Sequence, residues 1–235
     1  MLMMLIYFCS YVLWVKLYMV KIMRYLYLIL LLLISVNIFS QTITSNNKLI
    51  INHGGITLYL SDDSLSMISK HVLLYNDFLK LDDERDNRWF QDSIKSKYNR
   101  TIYSKSGYDL GHLTPSHITS YDDELNHKSF SFLNQAPQLP SFNRGKWARI
   151  ESYVEDTISK YKKDVIIITG VIYSKKPIYL KNSKIKIPVY YYKILYIDRL
   201  IYCWLGSNVD GGVKVISIKE LNKLFKSNGM GISIK

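Results

Sequence analysis

Apolar residues beyond position 40 fall into short runs that predict strands, separated by polar turns that contain glycine. The longest of these runs, Val165–Tyr173, is continuous and apolar, which is typical of a buried central strand. Shorter runs rich in β-branched and aromatic residues predict further strands at 56–60, 185–196 and 200–205. We therefore predict that a β-sheet forms the centre of the fold.

Residues 143–160 follow the period of a helix instead. Four apolar residues recur there every three or four positions and predict a core-facing stripe: Trp147, Ile150, Val154 and Ile158. A helical turn of about 3.6 residues also places Asn143 and Glu151 on one face, since they sit two turns apart. A second, short helix is predicted for Ser217–Phe225, with Ser217 at its start. A sheet with separate helices predicts an α+β fold.

The N-terminal segment 1–40 contains no acidic side chain and is dominated by Leu, Ile, Met, Tyr and Val. Its second half, with Arg24 before an apolar run, is typical of a secretory leader that ends near Ser40, and Met19 or Met23 is an alternative start. Two membrane segments or one uncleaved anchor are the other interpretation, although both runs are short for about 30 Å of hydrocarbon. We expect residues 41–235 to form one exported domain, secreted or periplasmic after cleavage and membrane-anchored without it.

The formal net charge of the chain is +12, from 31 Lys and Arg residues against 19 Asp and Glu residues. A basic surface favours polyanions such as nucleic acid, and it is also compatible with an anionic membrane. Cys9 and Cys203 are the only cysteines, and Cys9 lies in the predicted leader. After cleavage a single thiol would remain, which excludes an internal disulfide.

The polar residues most suggestive of chemistry lie between Tyr108 and Glu151. They occur in three strings: Asp109-Leu110-Gly111-His112, Asn134-Gln135-Ala136-Pro137-Gln138 and Asn143-Arg144-Gly145-Lys146-Trp147-Ala148-Arg149-Ile150-Glu151. An amide oxygen and a carboxylate on one helical face form a hard-oxygen site suited to Mg²⁺. A neutral imidazole nearby can take a proton from water. Together these groups predict a divalent-cation site with a proton acceptor nearby.

The three strings, in this order and at this spacing, resemble the signature of the DNA/RNA non-specific endonucleases of the ββα-metal (His-Me finger) type. The resemblance implies an α+β fold with a central, mainly antiparallel sheet and helices packed on it. It also implies a secreted, sugar-non-specific endonuclease that hydrolyses phosphodiester bonds of DNA and RNA. The implied cofactor is one divalent cation, Mg²⁺ or alternatively Mn²⁺, without a small-molecule cofactor, and a homodimer is left open.

Individual roles follow from the resemblance residue by residue. His112 would be the general base, Asn143 the direct metal ligand, and Glu151 a ligand that acts through water. Asp109 would orient the active-site strand or a neighbouring donor, and Asn134 would hold the loop after His112. Arg85 matches the arginine that contacts the substrate phosphate. Further candidates for substrate binding are Arg88, Lys146 and Arg149.

One departure from the signature matters, because Leu110 stands where the family has an arginine. Loss of one electrostatic donor beside the phosphate typically costs about 10²–10³ in rate, so Leu110→Arg should then raise activity. The alternative is that Leu110 packs into the core and arginine there only destabilises the fold. The departure also leaves a second function open, a weakened or inactive nuclease fold that binds nucleic acid through its basic surface. Retention of His112, Asn143 and Glu151 together favours the enzyme.

Overall fold

An antiparallel sheet forms the centre of the computed structural model, which describes residues 18–19, 21–24, 43–45, 49–61, 66–83, 85–92, 99–181 and 183–235. The strands are β1 (Ile43–Ser45), β2 (Leu49–Asn52), β3 (Ile56–Leu60), β4 (Ser66–Leu73), β5 (Asp109–His112), β6 (Gln135–Gln138), β7 (Val165–Ile172), β8 (Ile178–Tyr179), β9 (Lys186–Ile187), β10 (Tyr190–Ile197), β11 (Leu200–Ser207), β12 (Val213–Val215) and β13 (Ile232–Ile234). The main sheet has seven strands in the order β12-β11-β10-β7-β4-β3-β2. Its pairings are antiparallel throughout.

The middle of this sheet is its most apolar part. Every residue of β7 is buried, and the strand pairs with β4 on one side and β10 on the other. The prediction of a buried central strand from the continuous run at 165–173 is therefore confirmed. β10 and β11 form a hairpin in which Ile197 pairs with Leu200 across a two-residue turn. The α+β class is also confirmed, because helices cover both faces of the sheet.

The helices are α1 (Tyr75–Phe78), α2 (Arg100–Tyr103), α3 (Asp123–Ser129), α4 (Ala148–Tyr161) and α5 (Ile218–Ser227), with a 3₁₀ turn at His117–Thr119. On one face of the sheet, Val154 and Ile158 of α4 pack with Leu195 and Ile197 of β10. On the opposite face, Phe225 of α5 packs edge to face against Tyr192. Side chains alternate along β10, so α4 and α5 lie on opposite sides of the sheet.

The first helix predicted from the sequence begins later than expected. The prediction placed its start at Asn143 and its end at Lys160, whereas α4 runs from Ala148 to Tyr161. Residues Phe142–Trp147 form a wide π-helical turn with a kink at Gly145, whose φ and ψ are −110° and −107°. Asn143 and Glu151 therefore do not share one face of a regular helix, because the 3.6-residue period does not pass through the kink. The predicted terminal helix is confirmed as α5, which starts with a capping box between Ser217 and Glu220.

Three short two-stranded sheets surround the main one: β1 with β13, β5 with β6, and β8 with β9. The β5–β6 hairpin is attached to the α4 side of the main sheet, because the Tyr191 hydroxyl donates a 2.8 Å hydrogen bond to the Ala136 carbonyl. The Asn208 amide donates to the carbonyls of Pro137 and Pro188 at 3.0 and 2.9 Å. Two strands followed by the helix α4 form the ββα unit that was predicted.

The chain divides into two compact units, Met1–Thr42 and Ile43–Lys235. In the first unit, the described residues 18–19 and 21–24 are helical, and most of the predicted leader lies outside the described residues. None of the helices that the structure describes is long and apolar enough to cross a membrane. Cleavage near Ser40 and a single domain over 41–235 stay predictions.

Candidate active site

The β5–β6 hairpin holds the first two of the three strings side by side. Asp109 pairs with Gln138, and His112 pairs with Gln135. Between them Gly111 lies directly against the Gln138 side chain: a Cβ at position 111 would be 2.6 Å from the Cβ of Gln138 and closer still to its Oε1. The glycine before His112 is therefore required by packing inside the hairpin.

The His112 imidazole lies in an aromatic pocket at the end of β5. Its ring centroid is 4.7 Å from that of Trp89 and 5.0 Å from that of Phe130, which meets it edge to face. Burial, and secondarily the charge of Arg85, lowers the pKa of His112 to about 3. Its Nε2 has no hydrogen-bond partner among the residues that the structure describes. The ring is therefore neutral near pH 7, in the form that accepts a proton.

Asn134 is buried and braces the chain immediately after His112. Its side-chain oxygen accepts a 3.0 Å hydrogen bond from the Thr114 amide, while its Nδ2 donates to the carbonyls of Thr114 and Ser129, both at 2.8 Å. The Asn134 carbonyl also accepts from the Leu113 amide at 2.9 Å. Three of these hydrogen bonds hold the segment that follows the proposed base, and the fourth ties Asn134 to the end of α3.

Asp109 connects the first and third strings. Its Oδ2 accepts a 3.0 Å hydrogen bond from Nδ2 of Asn143 and a 2.9 Å bond from Nε of Arg144, and its Oδ1 accepts from Nη2 of Arg144 at 2.7 Å. Donation by Nδ2 sets the orientation of the Asn143 amide. The amide oxygen of Asn143 is left without a hydrogen bond within the described part of the chain, so it is available as a ligand.

Glu151 lies against a buried lysine, Lys193. Nζ of Lys193 is 3.6 Å from Oε1 of Glu151, and the Lys193 side chain is 1% exposed against 25% for Glu151. Lys193 also donates a 2.8 Å hydrogen bond to Thr169 Oγ1 and lies 5.4 Å from the Trp147 ring centroid. Burial raises the pKa of the Glu151 carboxyl, and the charge of Lys193 opposes that rise.

The sequence does contain a signal for Lys193. It is the one charged residue in the run Tyr190–Ile197, whose other residues after Tyr190 are all buried and uncharged. A lysine at a fully buried sheet position requires a partner. The partner, however, comes from a helix about 40 positions earlier in the chain, and only the fold reveals it.

The four basic candidates for substrate binding differ in their surroundings. Arg85 is exposed, and its guanidinium lies 5.3 Å from the Phe130 ring centroid. Its charge lowers the pKa of both His112 and Glu151, so the Arg85 side chain faces the site. Arg88 instead forms a bidentate pair with Asp86, at 2.7 and 2.5 Å. Lys146 and Arg149 are exposed on the turn and first part of α4. Arg85 is thus the arginine that the structure brings to His112.

Leu110 shares a face of β5 with His112, because the two are two positions apart on a strand. Its half-buried side chain packs against an apolar cluster, the Leu110 cluster, whose buried members are Tyr103, Phe132, Leu180, Ile185 and Ile187. Trp89 belongs to the rim of the same cluster and also contacts His112. The structure therefore shows the apolar packing that the sequence left as one of two alternatives.

The donor set fits a hard divalent cation held largely by water. No group of three or more His, Cys, Asp or Glu side chains suited to a metal occurs among the described residues. An amide oxygen oriented by Asp109 and a carboxylate held by Lys193 supply the oxygen ligands that Mg²⁺ prefers, and Mg²⁺ usually retains several waters. Asn143 would hold such an ion directly and Glu151 through a water.

Comparisons with known proteins point in the same direction. A sequence model of the family described as DNA/RNA non-specific endonuclease matches residues 35–200. A nuclease of Nostoc sp. is 34% identical over 126 residues, which are 52% of this chain and 43% of the relative. The human mitochondrial endonuclease G is 25% identical over 130 residues, 49% of this chain and 43% of that protein. A salivary endonuclease of Lutzomyia longipalpis is 31% identical over 94 residues, 37% and 23% of the two chains.

The chain thus spans less than half the length of these three relatives. Among solved structures, the crystal structure of an EndoG/EndoGI complex, solved to explain the inhibition of EndoG, matches with a TM-score of 0.62. The match covers 77% of this chain and 84% of the other, at 20% sequence identity. At that identity the likeness concerns the fold, and it confirms the ββα-metal nuclease architecture.

Proposed function

We propose, for a chain that belongs to the DNA/RNA non-specific endonuclease family by the match of residues 35–200, an exported endonuclease. It would hydrolyse phosphodiester bonds of DNA and RNA with the help of a divalent cation. The observation that carries this proposal is the link between Asp109 and Asn143. Their 3.0 Å hydrogen bond joins the strand that ends in His112 to the turn that leads into Glu151. This bond fixes the turn that carries Asn143 against the strand that carries His112, which supports a shared site.

In the proposed reaction, His112 removes a proton from water at a ring nitrogen. The neutral ring is the competent form, and a phosphate bound beside it raises its proton affinity, since negative charge favours the imidazolium. A bound cation would neutralise phosphate charge and assist the departing 3′ oxygen. Asn143 would hold that ion and Glu151 would hold one of its waters, and Arg85 would stabilise negative charge on the phosphate.

Family membership, the Asp109–Asn143 link and the neutral His112 support catalysis over the alternative, a weakened or inactive fold that only binds nucleic acid. A binding protein has no need of a buried neutral imidazole next to an oriented metal ligand. Mg²⁺ is the proposed cation, with Mn²⁺ as a substitute, and export is proposed from the leader-like residues before 41.

The test is degradation of plasmid DNA and of RNA by residues 41–235, with and without a chelator. We expect cleavage of both that stops when the cation is removed and returns with Mg²⁺ or Mn²⁺. His112→Ala should lower the rate by at least about 10², since general-base catalysis contributes roughly 10²–10⁴. Lys226→Ala, an exposed change on α5 across the sheet, is the control. Cleavage that survives both chelation and His112→Ala would refute the proposal.

A further inference from the structure

The segment between β7 and β10 carries an unusual charge pattern. It contains Lys175, Lys176, Lys181, Lys184 and Lys186, and no acidic residue occurs between Asp164 and Asp198. Part of this segment folds as the β8–β9 hairpin, in which Ile178 pairs with Ile187 and Tyr179 with Lys186. The hairpin therefore presents only one sign of charge.

Four of these five lysines are exposed, Lys175 among them. Lys176, Lys181 and Lys184 are exposed, and no carboxylate of a described residue pairs with any of them. Two exposed arginines elsewhere are neutralised locally, Arg144 by Asp109 and Arg88 by Asp86. Unpaired lysines on one short hairpin form a positive surface that attracts a polyanion.

The hairpin is anchored beside the active site by apolar contacts. Leu180, Ile185 and Ile187 are buried in the Leu110 cluster, and β9 contacts β6 of the active-site hairpin. Leu110 lies two positions before His112 on the same face of β5, a separation of roughly 7 Å along a strand. The residue that replaces the family's arginine is thus part of the support on which the lysine hairpin rests.

The outer side of the hairpin also offers surface for bases. Ile178 is 66% exposed and Tyr179 is 46% exposed, and both lie in sequence between Lys176 and Lys181. An aromatic ring between cations is the arrangement that binds single-stranded nucleic acid, because bases stack on the ring while the phosphates follow the charges.

We propose that Lys176, Lys181 and Lys184 form a binding surface for the phosphates of a nucleic-acid strand that runs from the active site over the β8–β9 hairpin. This surface supplies positive charge that Leu110 cannot supply, at phosphates next to the cleaved one. The proposal rests on the proposed function, since it concerns the substrate of the same site.

The test compares two triple variants that remove the same charge. One is Lys176→Gln, Lys181→Gln, Lys184→Gln on the hairpin. The matched control is Lys219→Gln, Lys223→Gln, Lys226→Gln on α5, whose lysines are exposed on the opposite side of the sheet from α4. Both are made in a His112→Ala background in chelator, and binding of a fluorescent single-stranded DNA is measured by anisotropy over a series of salt concentrations.

Each phosphate contact on single-stranded nucleic acid contributes about 0.7 to the slope of log Kd against log salt concentration. The hairpin variant should therefore lower that slope by about 2, while the α5 control leaves it unchanged. Replacing the same three lysines with arginine keeps the charge and should restore the slope. Equal slopes for the hairpin variant and the α5 control would overturn the proposal, provided that both variants melt at the temperature of their parent.

The two proposals fail separately. If wild-type protein binds DNA with the expected loss in the hairpin variant but never cleaves it, the proposed function is wrong and the lysine surface stands. If wild-type protein cleaves in a metal-dependent way and the hairpin variant has the parent's salt dependence, the surface is wrong and the nuclease stands.

Discussion

Leu110 stands where the family signature has an arginine, and we expect Leu110→Arg to destabilise the protein without accelerating cleavage. Leu110 is half-buried in the Leu110 cluster. Truncating a fully buried leucine costs roughly 2–5 kcal/mol, so a half-buried one is worth about half of that. The aliphatic stem of arginine can cover part of the exposed apolar surface while its charge reaches solvent. The free energy of unfolding should therefore fall by roughly 1–2 kcal/mol.

For a chain of this size, 1 kcal/mol corresponds to a melting-temperature shift of about 2–4 °C, so Leu110→Arg should lower the Tm by roughly 2–8 °C. Leu110→Met is the matched control, because it keeps an apolar side chain of similar volume and should change stability little. Thermal unfolding and the cleavage rate are measured on the same samples. The cleavage assay is run below the melting temperature of both variants. An arginine variant as stable as its parent that cleaves about 10²-fold faster would refute the packing argument and would restore position 110 as a missing phosphate contact.

Three further outcomes test other parts of the structure. Lys193→Met removes the ammonium group 3.6 Å from Glu151. It should weaken Mn²⁺ binding, measured by electron paramagnetic resonance, roughly 10–100-fold, as loss of a positioning partner does. Unchanged Mn²⁺ affinity would show that Lys193 does not position Glu151. Gly111→Ala forces a Cβ against the Gln138 side chain and should lower the free energy of unfolding, measured by chemical denaturation, by roughly 1–3 kcal/mol. Adding Gln138→Ala should recover part of that loss. Strictly additive effects of the two changes would contradict direct contact. Burial lowers the pKa of His71 to about 4 and that of His112 to about 3, so the unfolded chain takes up protons first as the pH falls. The free energy of unfolding should therefore fall as the pH drops from about 6.5 towards 4, by on the order of 3 kcal/mol from His71 alone. A flat stability profile over that range, or a His71→Gln variant with an unaltered slope, would rule out this pH dependence.

Local signals in the chain account for much of the fold. The buried strand β7 is visible as an uninterrupted apolar run, because both faces of a central strand must be apolar when helices cover both sides of the sheet. The start of α5 is visible as Ser217 followed three positions later by Glu220, the two halves of a capping box. The three polar strings around His112, Asn134 and Asn143 can also be recognised, because the spacing of residue types along the chain does not depend on its conformation.

Spacing alone was a poor guide where the backbone leaves regular geometry. The positions of Asn143 and Glu151 satisfy a helical period, yet the kink at Gly145 starts the α-helix only at Ala148. A glycine in an otherwise periodic segment permits such a break without requiring it. Within that wide turn Asn143 contacts Asp109, which lies 34 positions earlier in the chain.

What the sequence by itself determined about this protein is its class, its central strand and the candidate residues for the proposed reaction. What only the tertiary structure decided is which of those residues meet and which are occupied elsewhere: Arg88 is held by Asp86, Arg85 faces His112, and Glu151 has Lys193 as its partner. The same holds for Leu110, which reads as a lost arginine in the motif and is an apolar anchor of the β8–β9 hairpin in the fold. The physical reason is that propensity and periodicity act over a few residues, whereas burial, ion pairing and pKa depend on neighbours that are distant in the chain.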